Sequence, residues 1–258
     1  MTDYSQSWQL GAVLALLVSS FPPAAWARTV DPNAAHGKKA VYVFNQTKLE
    51  KARASESTDS KRIAQLESWR KNDEDAMQFL RTLGFTVTEA NEATPFDAAV
   101  KAQQVVIISE SVDAVDVDAK YRYATVSLLT FENDLLGELG MTDLKNGRDY
   151  GTDDGQRFIW LVNAPHPLAA GLAAGIQDVL TDEHFKMNWG KPGLGAVTIA
   201  TLRGEPEKAA IFAYEKGATM NAEFLVPARR VIVFFGRTPL INCAPKAWRY
   251  SGPLFCGR

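Results

Sequence analysis

The chain has 258 residues, 46% of them hydrophobic and 22% charged, with a formal net charge of −2. That balance fits a globular chain with one large core and argues against disorder, coiled coil and the basic footprint of a nucleic-acid binder. The basic positions in Lys48–Arg53 and Lys61–Arg62 are interleaved with Glu50 and Glu56, so they read as a solvated surface and no nucleic-acid partner is expected.

Met1–Ala27 stands apart. Leu10–Val18 is an unbroken apolar or small run, Pro22 and Pro23 end it, and Ala25-Trp26-Ala27 offers the small residues a signal peptidase reads. The run is too short to span a bilayer as a helix. A cleaved secretory signal is therefore expected, with one mature domain from Arg28 to Arg258, a periplasmic or extracellular location and no stable membrane insertion. Because Met1–Trp8 carries Asp3 and no Lys or Arg, an uncleaved N-terminal anchor is the alternative.

Ala40–Phe44 is a short apolar run with the form of a buried parallel strand. Lys48–Lys71 has helix-forming composition. Asn72 is placed to cap a second helix, with Asp73, Glu74 and Asp75 in its first turn, Ala76, Met77, Leu80 and Leu83 on one face, and Gly84 as the residue past its end. Phe85–Thr88 then reads as a strand, Phe96–Ala102 as a short helix, Val105–Ile108 as a buried strand and Val126–Leu129 as the next. A helix over Asn133–Leu139 stops at Gly140, and Arg157–Val162 is another strand. This alternation predicts an α/β fold with a doubly wound, mostly parallel sheet. Ala196–Leu202, Ala209–Tyr214 and Arg230–Phe235, joined by short Gly- and Pro-containing connections, predict an antiparallel C-terminal extension. Cys243 and Cys256 either form one local disulfide or stay as two thiols, because sequence does not set their Cα separation.

Five strings occur in order: Val105–Val112 (VVIISESV), Leu129–Leu139 (LTFENDLLGEL), His166–Leu172 (HPLAAGL), Ile211–Gly217 (IFAYEKG) and Ala228–Phe235 (ARRVIVFF). The series resembles secreted bacterial domains of the trehalose-utilisation-protein-like (ThuA-like) branch of the class I glutamine amidotransferase-like superfamily, from about Ala40 to Phe235. The resemblance implies a flavodoxin-like sandwich and a carbohydrate-related role. The superfamily's nucleophile is a Cys at a strand-to-helix turn. Ser109, Glu110 and Ser111 occupy that neighbourhood here, so glutamine hydrolysis by that route is not expected. Such domains also close with a helix, whereas this chain stops just after Leu254-Phe255, so a truncated or divergent C-terminus is expected there.

In open α/β sheets ligands sit beyond the carboxyl ends of the strands. The residues just past the predicted strands are Asn45 and Gln46, then Ser109, Glu110 and Ser111, then Thr130 and Glu132, then Asn163 and His166. Parallel strands would gather them on one rim, with Asn45, Glu110, Glu132 and His166 as ligand-binding candidates. Ser109 or Ser111 with His166 and Glu132 would make a nucleophile, base and orienting carboxylate, although no G-x-S-x-G elbow surrounds either serine. Glu110 and Glu132 would alternatively serve as a glycosidic acid–base pair. Against both stands a local role in which Ser109 and Glu110 cap the following turn. Pro165 and Pro167 hold His166 in an extended loop, suited equally to substrate contact and to a structural turn.

His36 and His184 have no partner at metal-ligand spacing, so neither metal nor cofactor is expected. The acidic stretch Asp149–Asp154 lacks calcium-loop spacing and reads as a solvated loop. Glu215 is expected to pair with Arg229 or Arg230 across neighbouring strands. Trp160, Trp189 and Trp248 either stack on sugar rings or fill the core. Asn45-Gln46-Thr47 is a glycosylation sequon if the chain is made in a eukaryotic secretory pathway. Three functions remain open: a small-molecule or carbohydrate-binding domain, a hydrolase of glycosides or esters, and an interaction module of a larger extracellular assembly.

Overall fold

Eleven strands form one mixed sheet in the computed structural model, which describes residues 35–169, 171–180, 185–221 and 223–233. The segment expected as a secretory signal, His184, Trp248, Cys243 and Cys256 lie outside the described residues. Strands β1 (Lys39–Val43), β2 (Thr86–Ala90), β3 (Val105–Ile108) and β4 (Ser127–Thr130) run parallel in the order β2-β1-β3-β4. All four residues of β3 are buried, as a strand covered on both faces requires.

Two sets of helices cover the two faces. Helix α1 (Lys48–Ala54) leads into the long α2 (Ser60–Thr82), whose Met77 and Leu80 pack with Ala40 and Tyr42 of β1 and with Phe44 just past it. Val41 and Val43 point the other way, toward Ala99 of α3 (Phe96–Val100) and Val117 of α4 (Ala114–Val117). The period-2 alternation along β1 therefore serves two cores.

Helix α2 corrects the expected break at Asn72. It starts at Asp59, whose side chain accepts from the Arg62 amide at 2.7 Å, and runs without interruption through Asn72 and Asp73. Its end follows expectation. Gly84 (φ +96°) donates to the Arg81 carbonyl at 3.0 Å and Phe85 to the Leu80 carbonyl at 3.2 Å, a Schellman closure that needs the left-handed residue. Asn133–Leu139, expected as a helix, holds only a 3-10 turn over Asn133–Leu135.

The second half departs further from the parallel reading. Strand β5 (Tyr150–Gln156) occupies the acidic stretch expected as a loop and pairs antiparallel with β8 (Phe185–Gly190). β6 (Phe158–Leu161) pairs antiparallel with both β7 (Gly175–Asp178) and β9 (Val197–Leu202). Between β6 and β7 the described residues hold a short 3-10 turn, Pro167–Ala169, and no crossover helix, and the chain reverses. β9 and β10 (Glu205–Tyr214) form a hairpin through Gly204 (φ +81°).

β11 (Arg230–Val233) is antiparallel to β10 but lies beside β4 and parallel to it. The C-terminal extension is thus antiparallel except at its last described strand, which completes a five-stranded parallel block. No helix among the described residues is long and apolar enough to cross a membrane.

Candidate functional site

The parallel block creates one special border. After β1 the chain leaves toward α1 and α2 on one face; after β3 it leaves toward α4 on the other. Adjacent strands whose connections part in this way define the topological switch point of an open α/β sheet.

At that border Asn45, Glu92, Ser109 and Ser111, arriving from the ends of three strands, are bonded to one another or to a common partner. The Asn45 amide donates to Ser111 Oγ at 3.1 Å, and the Ser111 amide donates to Ser109 Oγ at 3.0 Å. Asn45 Nδ2 donates to Glu92 Oε1, which also accepts from the Asp113 amide at 3.0 Å. Lys120 Nζ donates to the Glu92 carbonyl, and Lys48 pairs with Asp113 at 3.2 Å. Because Asn45 Nδ2 is committed to Glu92, the sequon nitrogen is part of this network.

Beneath the border sits a carboxylate that sequence reading placed in the first turn of a helix capped by Asn72. Asp73 is 2% exposed. Its Oδ1 accepts from the Tyr42 hydroxyl at 3.0 Å and from the Ser109 hydroxyl, while Oδ2 is buried without a hydrogen-bond donor among the described residues. Burial pushes the carboxyl up to about 6, against the opposing pull of the Ser109, Ser111 and Tyr42 hydroxyls and the Arg70 guanidinium. Burial first, and then Asp73, raises the Tyr42 phenol well above its ordinary value.

On the β4 side the rim continues through the antiparallel β5–β8 pair. Asn188, fully buried on β8, uses its two Nδ2 hydrogens on Glu110 Oε2 and the Phe131 carbonyl, both at 2.8 Å, and accepts from Thr152 at 2.9 Å. Glu132 is 3% exposed, and its Oε1 accepts from the Asp134 amide at 2.9 Å, capping the 3-10 turn. Thr130 Oγ1 accepts from the Glu132 amide at 3.0 Å and fixes the bend between them.

His166 does not join them. From β4 the sheet steps to β11 in parallel and then through three antiparallel pairings to β6, so β6 runs opposite to the parallel block. Asn163 and His166 leave β6 at the amino-terminal edge of that block. There His166 lies close enough to Arg229, which immediately precedes β11, for its charge to be felt. His166 Nδ1 accepts from the Leu168 amide at 3.1 Å, so the neutral ring carries its proton on Nε2. Burial, and then Arg229, lowers its pKa to about 4.

The Ser109–His166–Glu132 set is therefore divided between opposite ends of the sheet. The backbone adds a second objection: no residue from Ser109 to Ser111 has positive φ, so the strained elbow of a serine nucleophile is not built there. No group of three or more His, Cys, Asp and Glu side chains suited to a metal ion occurs among the described residues.

Of the remaining candidates, Glu215 pairs with Arg229 at 2.9 Å, as expected across β10 and β11. Trp189 is buried and donates to Asp153 at 2.8 Å, whereas Trp160 is 44% exposed on β6. Sequence reading missed Asp73, Glu92, Asn188 and Thr152. Asp73 carried a signal, since it stands seven residues after Leu66 and four before Met77, on the buried stripe of α2.

The chain matches no protein-family model and no curated protein. Fold and rim define its class directly: an α/β protein with a five-stranded parallel block, an antiparallel extension, and a polar border at its switch point.

Proposed function

We propose that the chain is an exported ligand-binding domain of the ThuA-like kind, and that the border lined by Asn45 and Glu110, and held in place by the buried Glu92, Ser111, Glu132 and Asn188, is its recognition surface for a small polyhydroxylated molecule such as a carbohydrate. The observation that carries this reading is the gathering of polar side chains from the ends of β1, β2, β3 and β4 and from the β5–β8 pair. Networks of this kind orient hydroxyl-rich ligands because their donors and acceptors are fixed before binding. The parallel order β2-β1-β3-β4-β11 supports a flavodoxin-like core, and Leu10–Ala27 supports export.

Calorimetric titration of the protein with a panel of mono- and oligosaccharides tests the reading. Saturable binding abolished by Ser111→Trp supports it. Absence of binding across the panel, or binding unchanged in that variant, contradicts it.

One observation favours glycosidic chemistry as a second reading. Asn188 donates at once to Glu110 and to the carbonyl preceding Glu132, tying the two acidic residues to one stretch of rim. Turnover of aryl glycosides that disappears in both Glu110→Gln and Glu132→Gln would support it; no turnover by the unaltered protein would exclude it for those substrates.

A further inference from the structure

A continuous series of hydrogen bonds runs from the interior of the α2 face to the rim. Asp73 Oδ1 holds the Ser109 hydroxyl, Ser109 Oγ receives the Ser111 amide, and Ser111 Oγ receives the Asn45 amide. Asn45 then holds Glu92 through Nδ2 and receives the Lys48 amide on Oδ1 at 2.8 Å, where α1 begins. The series starts on α2, crosses the segment after β3, and finishes at the ends of β1 and β2.

The state of Asp73 decides how firmly the series is anchored. Hydrogen bonds to an ionised oxygen are about twice as strong as neutral ones. A proton on Oδ2 turns Oδ1 into a neutral acceptor, and a proton on Oδ1 displaces one of its two donors. In either case Ser109 loses the strong partner that fixes its rotamer, and the Ser111 amide loses a fixed acceptor.

We propose that Asp73 is a proton-sensitive latch of the rim: ionised, it locks Ser109, Ser111 and the Asn45 turn in place, and protonated, it releases them. The proposal rests on the ligand-binding reading only for what the latch would regulate. The carboxyl is held near neutrality by burial, within reach of mild acidification.

The groups facing it are few. Tyr42 of β1 and the Ser109 and Ser111 hydroxyls approach it directly, and Arg70 bears on it from the preceding turn of α2. Of the other charges on the surrounding elements, Glu89 of β2 pairs with Arg81, Asp75 with Lys71, Arg53 of α1 with Glu67, and Lys48 with Asp113.

The test is a carbon- and nitrogen-detected NMR titration of the full chain from about pH 4 to about pH 8, spanning the ordinary and shifted carboxylate ranges. The Asp73 Cγ and the amide nitrogens of Ser111 and Asn45 are expected to share one midpoint at about 6. In Ser109→Ala the carboxyl still titrates, at a higher midpoint because one donor is gone, while the Ser111 amide, having lost the Ser109 hydroxyl as its acceptor, falls silent. In Asp73→Asn all three transitions vanish. If Asp73→Asn does not fold, Ser109→Ala carries the test alone.

Amides that stay still while Asp73 titrates would overturn the proposal, as would a carboxyl already ionised below about pH 4.5. The latch is read without any ligand, so its failure and failure of the ligand-binding reading remain distinguishable.

Discussion

Ser109, the first residue past β3, gives its hydroxyl hydrogen to Asp73, a carboxylate in the middle of a 23-residue helix. The bond ties the carboxyl end of a central strand to the sheet-facing stripe of α2, with Tyr42 of β1 as the third member. It also gives the Ser109 hydroxyl a structural use in place of a nucleophilic one.

Asp73 makes the stability of the protein fall as pH rises through its titration. Its folded value, about 6, lies above the ordinary 3.8, so between these values the folded chain keeps a proton that the unfolded chain has lost. Above that window the ionised group costs about 3 kcal/mol, at 1.36 kcal/mol per unit. Asp73→Asn, which keeps an acceptor for Tyr42 and Ser109, is expected to raise stability at neutral pH by up to that amount. Asp73→Leu, which leaves both hydroxyls unpaired, is expected to be less stable than Asp73→Asn by about 2 kcal/mol or more. Urea denaturation at neutral and mildly acidic pH measures both.

His166 acts in the opposite direction. Its folded value of about 4 lies below the ordinary 6.5, so its contribution is present above pH 6.5 and is lost as pH falls toward 4. Asp73 and His166 thus offset each other across nearly the same window. Asp73→Asn is expected to steepen acid destabilisation, and His166→Gln to flatten or reverse it. Parallel slopes of stability against pH in the two variants would contradict this account.

Arg230 is fully buried and paired with carbonyls: its guanidinium donates to those of Val126 at 3.0 Å, Ala228 at 2.9 Å, Arg122 at 3.4 Å and Ala124. Burial lowers its pKa to about 10, still well above neutrality. It binds the start of β11 to the segment leading into β4. Arg230→Met leaves these carbonyls without their donor and is expected to cost about 3 kcal/mol or more. Arg230→Lys, a single point donor, recovers only part of that loss. Thermal unfolding of the two variants separates fork geometry from charge.

The first half of the fold was readable because its strands are fully buried apolar runs and its helices lie between them. The rest was obscured for particular reasons. Asp73 looked like a first-turn acid because Asn72 precedes it, and only the stripe through Leu66, Met77 and Leu80 places it inside. β6 has the composition of a parallel strand, and its direction is set by pairing with β7 and β9, which no local pattern reveals. β8 carries Lys186, Asn188 and Gly190 among its apolar residues, so the strand that supplies Asn188 to the rim gave little β signal.

Asn188→Asp tests the β5–β8 part of the border. The substitution replaces the two donors facing Glu110 and the Phe131 carbonyl with a second carboxylate. It is expected to cost about 3 kcal/mol at neutral pH and to recover as acid neutralises the pair. Chemical denaturation across the carboxylate range follows the recovery.

The central claim is that ligand engages the carboxyl-end border of the parallel block. Amide NMR mapping during titration with the oligosaccharide panel tests it most directly. The account predicts concentration-dependent shifts confined to the turns containing Asn45, Glu92, Ser109–Ser111 and Glu132, together with Asn188 on β8. Shifts centred instead on Asn163–Leu168 at the opposite edge, or on the exposed face around Trp160, would contradict it.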